Sequence, residues 1–264
     1  MTVISPAPIG YERSSVPGTT FDDLDHAALA ELFRLRTPEL VENTTVEHLA
    51  IRFGLVAQSG SRIIPTIAGL YLFGRFPQLL RPDWGVTAIR VGGQVLTDPI
   101  DVRADLEGGL RDLHRQAVAF VRTHARRVPN AVDPTSSTSE YPEVAIAEAL
   151  ANALVHRDLR IPGRVAIRMF DGRIEIWNPG GMSAAVLLEE QAQHGGVSLP
   201  RNPVIASVAR SLGLVEQLGR GLPLIRRAIG ESSRSTVRVV LTQTDVKLVI
   251  PSLLQIPRHT QVEN

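Results

Sequence analysis

The chain has 264 residues, 44% of them hydrophobic and 21% charged, with a formal net charge of +1 at neutral pH. That length can hold one large domain or two modest ones, and the balanced charge gives no overall pull toward nucleic acid. The absence of Cys excludes disulfides, thiolate metal sites and thiol catalysis, and fits a reducing cytoplasm.

No basic segment followed by an apolar stretch opens the chain, so no signal peptide is expected, and no apolar run reaches bilayer-spanning length. The basic residues are 27 Arg and a single Lys, Lys247, a bias best explained by genomic base composition. Lys247 lies in Asp245-Val246-Lys247-Leu248, so the Gly-Lys-Ser/Thr of a P-loop is missing. Any use of a nucleoside triphosphate would not be that of a P-loop motor.

In chain order, residues 1–20, rich in Pro, Ser and Thr, predict a loose tail. Residues 22–36 read as a helix with acids early and Arg late. A second helix is expected over 45–53, ended by Gly54, then a turn at Gly60. Thr66 is placed to cap a helix over 67–73. This helix, turn and helix could be a winged-helix-like reader of DNA, but the apolar 68–73 stretch favours a packing module.

Residues 85–95 read as a strand, and 101–127 as one long amphipathic helix. A helix with Pro142 in its first turn is followed by strands over 164–170 and 173–177, joined at Asp171-Gly172. Asn178-Pro179-Gly180-Gly181 then breaks the strand, and residues 182–199, with His194-Gly195-Gly196, have a mobile loop's composition. Asn202-Pro203 caps a helix to Leu212, Gly219-Arg220-Gly221 precedes another to Ile229, and strands over 236–242 and 246–250 finish the chain.

The most informative stretch lies between Glu148 and Asp158. The helix there is apolar almost all round, yet Glu148, Asn152 and His156 recur at four-residue spacing and so share one face. A buried carboxylate and amide cost roughly several kcal/mol unless satisfied. Bonding to the protein's own backbone would explain one such residue; a stripe of three fits a ligand or metal lining better. Gly219 and Gly221 stand where backbone N–H groups and a helix N-terminus would meet a phosphate.

The order of these features resembles the ATP-binding fold of gyrase, heat-shock chaperones, histidine kinases and mismatch-repair proteins, the GHKL or Bergerat fold. More closely, residues from about 20 to 251 resemble the C-terminal region of RecG-related ATP-binding transcriptional regulators. The matching strings run over 148–158, 173–181, 201–203 and 213–221, with 67–74 upstream. The resemblance implies an α+β fold: a Bergerat-type α/β sandwich of mixed, mostly antiparallel sheet with helices on one face, plus a small, mainly helical N-terminal region. The corresponding division is a flexible tail over 1–20, a small N-terminal α/β region over 21–98, the ATP-binding domain over 99–254 and a tail over 255–264.

By the same resemblance, Asn152 would coordinate Mg²⁺ bridging the triphosphate of ATP, and Glu148 would orient or deprotonate the attacking water. Asn178 stands where the wider fold has an adenine-reading Asp; Gly180 and Gly181 would let the backbone approach the base. Gly219, Arg220 and Gly221 would face the phosphates, Arg201 would be a further phosphate partner, and 182–199 the lid. His156 would be a partner of Glu148 or a structural hydrogen bonder, the latter favoured. The shortened Asn178-Pro179-Gly180-Gly181, Val155 in place of a further acid, and the lack of a Lys for the γ-phosphate imply binding with weak or no hydrolysis.

The expected function is a cytoplasmic nucleotide-dependent switch in transcription regulation or DNA-related processes. Longer relatives carry an N-terminal AlbA-type or Schlafen-like domain, which this chain is expected to lack. A homodimer is an expected partner state, DNA would be bound weakly or through a separate domain, and no membrane is involved. The alternatives are a nucleotide-free scaffold or dimerisation module that kept the fold, and a direct DNA-binding regulator.

Overall fold

The computed structural model describes residues 10–129, 137–181, 200–215, 221–230 and 236–254. Helix α1 (His26–Arg36) starts at Asp25, whose carboxylate accepts from the N–H groups of Ala27 and Ala28, and α2 (Pro38–Val41) follows. Helix α3 (Val46–Phe53) is capped by Thr45 and ends at Gly54. The hairpin of β1 (Val56–Ser59) and β2 (Arg62–Pro65) leads to α4 (Ile67–Phe73), capped by the Thr66 hydroxyl. All seven residues of α4 are buried, so it packs inside the molecule and presents no face to a DNA groove.

The main sheet is β4 (Ile100–Leu106), β3 (Val86–Val91), β7 (Val165–Met169), β8 (Arg173–Pro179), β10 (Asp245–Pro251) and β9 (Arg238–Leu241), in that spatial order. Only β3 and β7 run parallel; the other neighbours are antiparallel. A parallel pair requires a crossover. Helices α5 (Leu110–His124) and α6 (Glu143–His156) lie in it, with a small hairpin of β5 (Arg127–Pro129) and β6 (Ser137–Ser139) between them. The later helices are α7 (Pro203–Ser211) and α8 (Gly221–Ile229).

Alternation sets the faces. Val165, Ile167 and Met169 on β7, and Ile174 and Ile176 on β8, are buried toward the helices. On the opposite face Glu175 is held by Arg173 at 2.7 Å and Lys247 at 3.6 Å. The result is a mixed, mostly antiparallel sheet with helices on one side, the expected α+β class. No described helix is long and apolar enough to cross a membrane.

Four expectations are corrected. The long helix over 101–127 is a strand and then a helix: Val102, Ala104 and Leu106 alternate inward on β4, and α5 begins only after Gly108-Gly109. The strand carrying Asn178 does not break there but continues to Pro179. The tail is not loose through residue 20, because Tyr11–Arg13 forms a 3-10 turn and Glu12 is buried. The division at residue 98 does not follow the sheet, since β3 lies inside it, and one apolar cluster runs from Leu24 to Ile250. The expected tails over 1–9 and 255–264 fall outside the described residues.

Candidate functional site

Helix α6 is built from Ala and Leu, strong helix formers, and Pro142 stands at its N-cap position rather than inside its first turn. Nine of its fourteen residues are buried, Glu148 among them. The polar stripe forms as its spacing predicts: Asn152 Nδ2 donates to Glu148 Oε1 at 2.8 Å. With its Nδ2 committed to Glu148, Asn152 keeps its amide oxygen as an acceptor.

The N-terminus of α8 docks on that pair. A Cβ built on Gly221 would lie 2.4 Å from Glu148 Oε1 and 2.6 Å from Asn152 Nδ2, so only glycine fits while both side chains hold their positions. The structure thus brings three expected site residues together: Glu148, Asn152 and Gly221. A carboxylate at a helix N-terminus is favourable by itself, through the dipole and the unpaired N–H groups. Gly219, Arg220 and the lid expected over 182–199 lie outside the described residues.

Asn178 extends the helix-facing row of Ile174 and Ile176 and pairs with Val246 of β10. It is 6% exposed, and its Oδ1 is buried with no hydrogen-bond partner among the described residues. A buried amide oxygen left unpaired costs roughly 1–3 kcal/mol. An apolar residue in line with Ile176 would avoid that cost, so this Asn asks for a donor.

Just beyond it, Gly180 adopts φ +110, a conformation L side chains rarely take. Its N–H donates to the Thr244 carbonyl at 2.7 Å. The space its missing Cβ leaves is filled by Arg201 and Asp158, and that of Gly181 by the Thr242 and Gln243 carbonyls. Both glycines thus admit close approach, here by protein atoms.

Arg201 donates to the carbonyls of Gly181 and, at 3.4 Å, His156, and its Nε lies 3.9 Å from Asp158. The expected phosphate partner is therefore engaged in holding the end of β8 to the end of α6. Burial, offset in part by Asp158, lowers the Arg201 pKa. Burial alone would raise Asp158, but hydrogen bonds from Arg160 and the charges of Arg201 and Arg160 hold it below the usual carboxylate range.

His156 ends the stripe, and the charges that bear on it are those of Arg201 and Arg210 rather than Glu148. Burial first, then the charges of Arg201 and Arg210, push its pKa down to about 4, so the ring is neutral at physiological pH. No cluster of three His, Asp or Glu able to hold a metal occurs among the described residues. A magnesium ion at Asn152 would therefore rely on water and phosphate oxygens for its other ligands.

Two structural contributors went unassigned in the sequence, and a third, Asn202, was expected in another role. Asp158 supports Gly180 and accepts from Arg160 at 2.7 Å. Fully buried Arg157 donates to the carbonyls of Asp83 and Gly163, each at 3.0 Å. Asn202 does not cap its own helix; its Nδ2 donates to the carbonyls of Val155 and Arg157, both at 2.9 Å, closing the C-terminus of α6. The signal was a charged Arg157-Asp158 directly after an apolar helix, a place where charges must find partners.

Residues 163–250 match the family described as "Putative ATP-dependent DNA helicase recG C-terminal", an ATPase-like domain. The match includes Asn178, Gly180, Gly181, Arg201 and Gly221 and begins after Glu148 and Asn152. No curated protein matches the chain. The crystal structure of the DIP2311 protein from Corynebacterium diphtheriae is similar over 91% of this chain, with TM-score 0.64 and 21% identity. The chain spans 47% of that protein, and the likeness establishes the fold.

Proposed function

We propose that the chain binds ATP between α6, the end of β8 and the N-terminus of α8, in the GHKL manner, as a nucleotide-dependent switch with weak or no hydrolysis. The observation that carries this reading is the orphaned Asn178 Oδ1, buried at the end of an apolar strand row. The exocyclic amine of adenine is a donor of the kind it lacks. The ATPase-like match over the same strand supports the assignment.

In this reading the Asn152 oxygen is a magnesium ligand, Glu148 faces the water, and Gly219, Arg220 and Gly221 offer N–H groups to the triphosphate. The phosphates would take the place of Glu148 before α8, so binding would move α8 relative to α6. A ligand that favours one of two positions of a helix shifts their populations by its difference in affinity. That displacement is what a partner in transcription regulation, or a second copy of the chain, would sense.

One observation favours the scaffold reading: Gly221 already closes on Glu148 and Asn152. Melting temperature with and without ATP and magnesium separates the two. Saturation at ~100 times the dissociation constant adds about 2.7 kcal/mol of stability. By calorimetry Asn152→Ala abolishes the magnesium-dependent part of ATP binding. Unchanged affinity in that variant would remove the ATP reading, and no shift with any nucleotide would favour the scaffold.

A further inference from the structure

A cavity of about 440 Å³ opens between the Tyr11–Arg13 turn and helices α1, α3 and α7. Arg13, Arg36 and Arg52 line it, with Phe53 and Val208 as apolar wall. None of the three arginines forms an ion pair among the described residues, and Arg13 and Arg52 donate no described hydrogen bond. Arg36 uses one nitrogen on the Ser207 and Ser211 hydroxyls, each at 3.0 Å, and lies over the Phe53 ring, 5.2 Å from its centre.

Three like charges around one hollow repel each other. Part of that cost is met by helix ends: Arg36 closes α1, Arg52 is in the last turn of α3, and Arg13 lies against Gly54 at its C-cap. Among the described residues the one carboxylate in the wall is Glu12, and both its oxygens are taken by the N–H groups of Val204 and Ile205, at 2.6 and 3.0 Å. The three guanidinium groups are exposed to solvent and open to an outside anion. Phosphate oxygens suit them best, because planar N–H pairs meet them bidentately.

We propose that this cavity is a second anion site, taking a small ligand that carries one or two phosphate groups, held by Arg13, Arg36 and Arg52. Its volume falls within the range of small-molecule pockets, and its arginines surround a hollow instead of following a stripe as a nucleic-acid backbone requires. The inference does not depend on ATP binding at α6.

Calorimetric titration of the full chain with inorganic pyrophosphate, without magnesium, tests it. Wild type and Asn152→Ala bind pyrophosphate alike, whereas Arg52→Glu, with an unchanged melting temperature, binds roughly tenfold more weakly or not at all. AMP titrated into the same proteins shows whether a phosphoester is also accepted; the same dependence on Arg52 supports the site. Equal pyrophosphate affinity in wild type and Arg52→Glu overturns the proposal. So does a short DNA duplex binding where pyrophosphate does not, which would make the arginines a nucleic-acid surface. Loss of pyrophosphate binding in Asn152→Ala would instead place the anion at α6.

Discussion

Helices α7 and α8 are each nine residues long, and each begins against a carboxylate from a distant part of the chain. At α7 the carboxylate is Glu12, 2% exposed, and its two oxygens accept from two successive N–H groups. At α8 it is Glu148, which also accepts from Asn152, and the approach is so close that a Cβ at position 221 would meet both side chains as they stand. In the first arrangement the carboxylate and the two N–H groups satisfy each other, so the cap itself offers no group to a ligand. The second adds the amide oxygen of Asn152 and, on β8, the Asn178 Oδ1 that has no partner among the described residues. A carboxylate at a helix start is thus not in itself a site; the polar groups left over around it decide.

The sharpest way to break this contrast is Glu12→Ala. It strands two buried N–H groups and opens a gap between the N-terminal turn and α7. Each unsatisfied group costs about 1–3 kcal/mol, so a loss of roughly 3 kcal/mol is expected. Urea denaturation measures it, and ATP affinity should not change. A loss under about 1 kcal/mol would mean that water replaces the carboxylate and that the α7 cap is as open as the α8 one.

The two ends also differ in how legible they were. Glu148, Asn152 and Gly221 were readable because helical spacing and a Gly-x-Gly before a helix are local patterns. The caps of α3 and α4 at Thr45 and Thr66 were readable for the same reason. Glu12 was not: its partners are 192 and 193 residues away, and nothing local distinguishes it from a tail residue. The strand over Ile100–Leu106 was missed because Leu106 fits both an alternating row and the helical row of Leu110 and Leu113. Asn178 was found only through its place before two glycines; its strand position, and hence its orphaned oxygen, depend on pairing with β10.

The next test concerns the end of α6 that faces α7. His156 titrates near 6.5 in an unfolded chain but near 4 here. Between those values the unfolded state holds a proton that the folded state refuses, so stability is full above pH 6.5 and falls as pH drops toward 4. The loss attributable to this ring amounts to roughly 2–3 kcal/mol. His156→Asn should flatten the stability profile over that window while leaving the acid-side loss from Asp158, whose pKa is lowered, in place. An unaltered profile in the variant would show that the ring is hydrated and that the stripe's last member lies outside the packed face.

The smallest effect on stability, and the most informative on function, belongs to Gly221→Ala. The added methyl would meet Glu148 Oε1 and Asn152 Nδ2, both far ends of side chains that can swing aside, so the fold should lose no more than about 1 kcal/mol. Those same side chains carry the proposed magnesium ligand and the carboxylate that faces the water. ATP affinity should therefore drop roughly tenfold, the equivalent of about 1.4 kcal/mol, while melting without nucleotide scarcely moves. If stability falls and nucleotide affinity does not, α8 is simply capped by Glu148 as α7 is by Glu12. The difference between the two helix ends would then be one of packing alone.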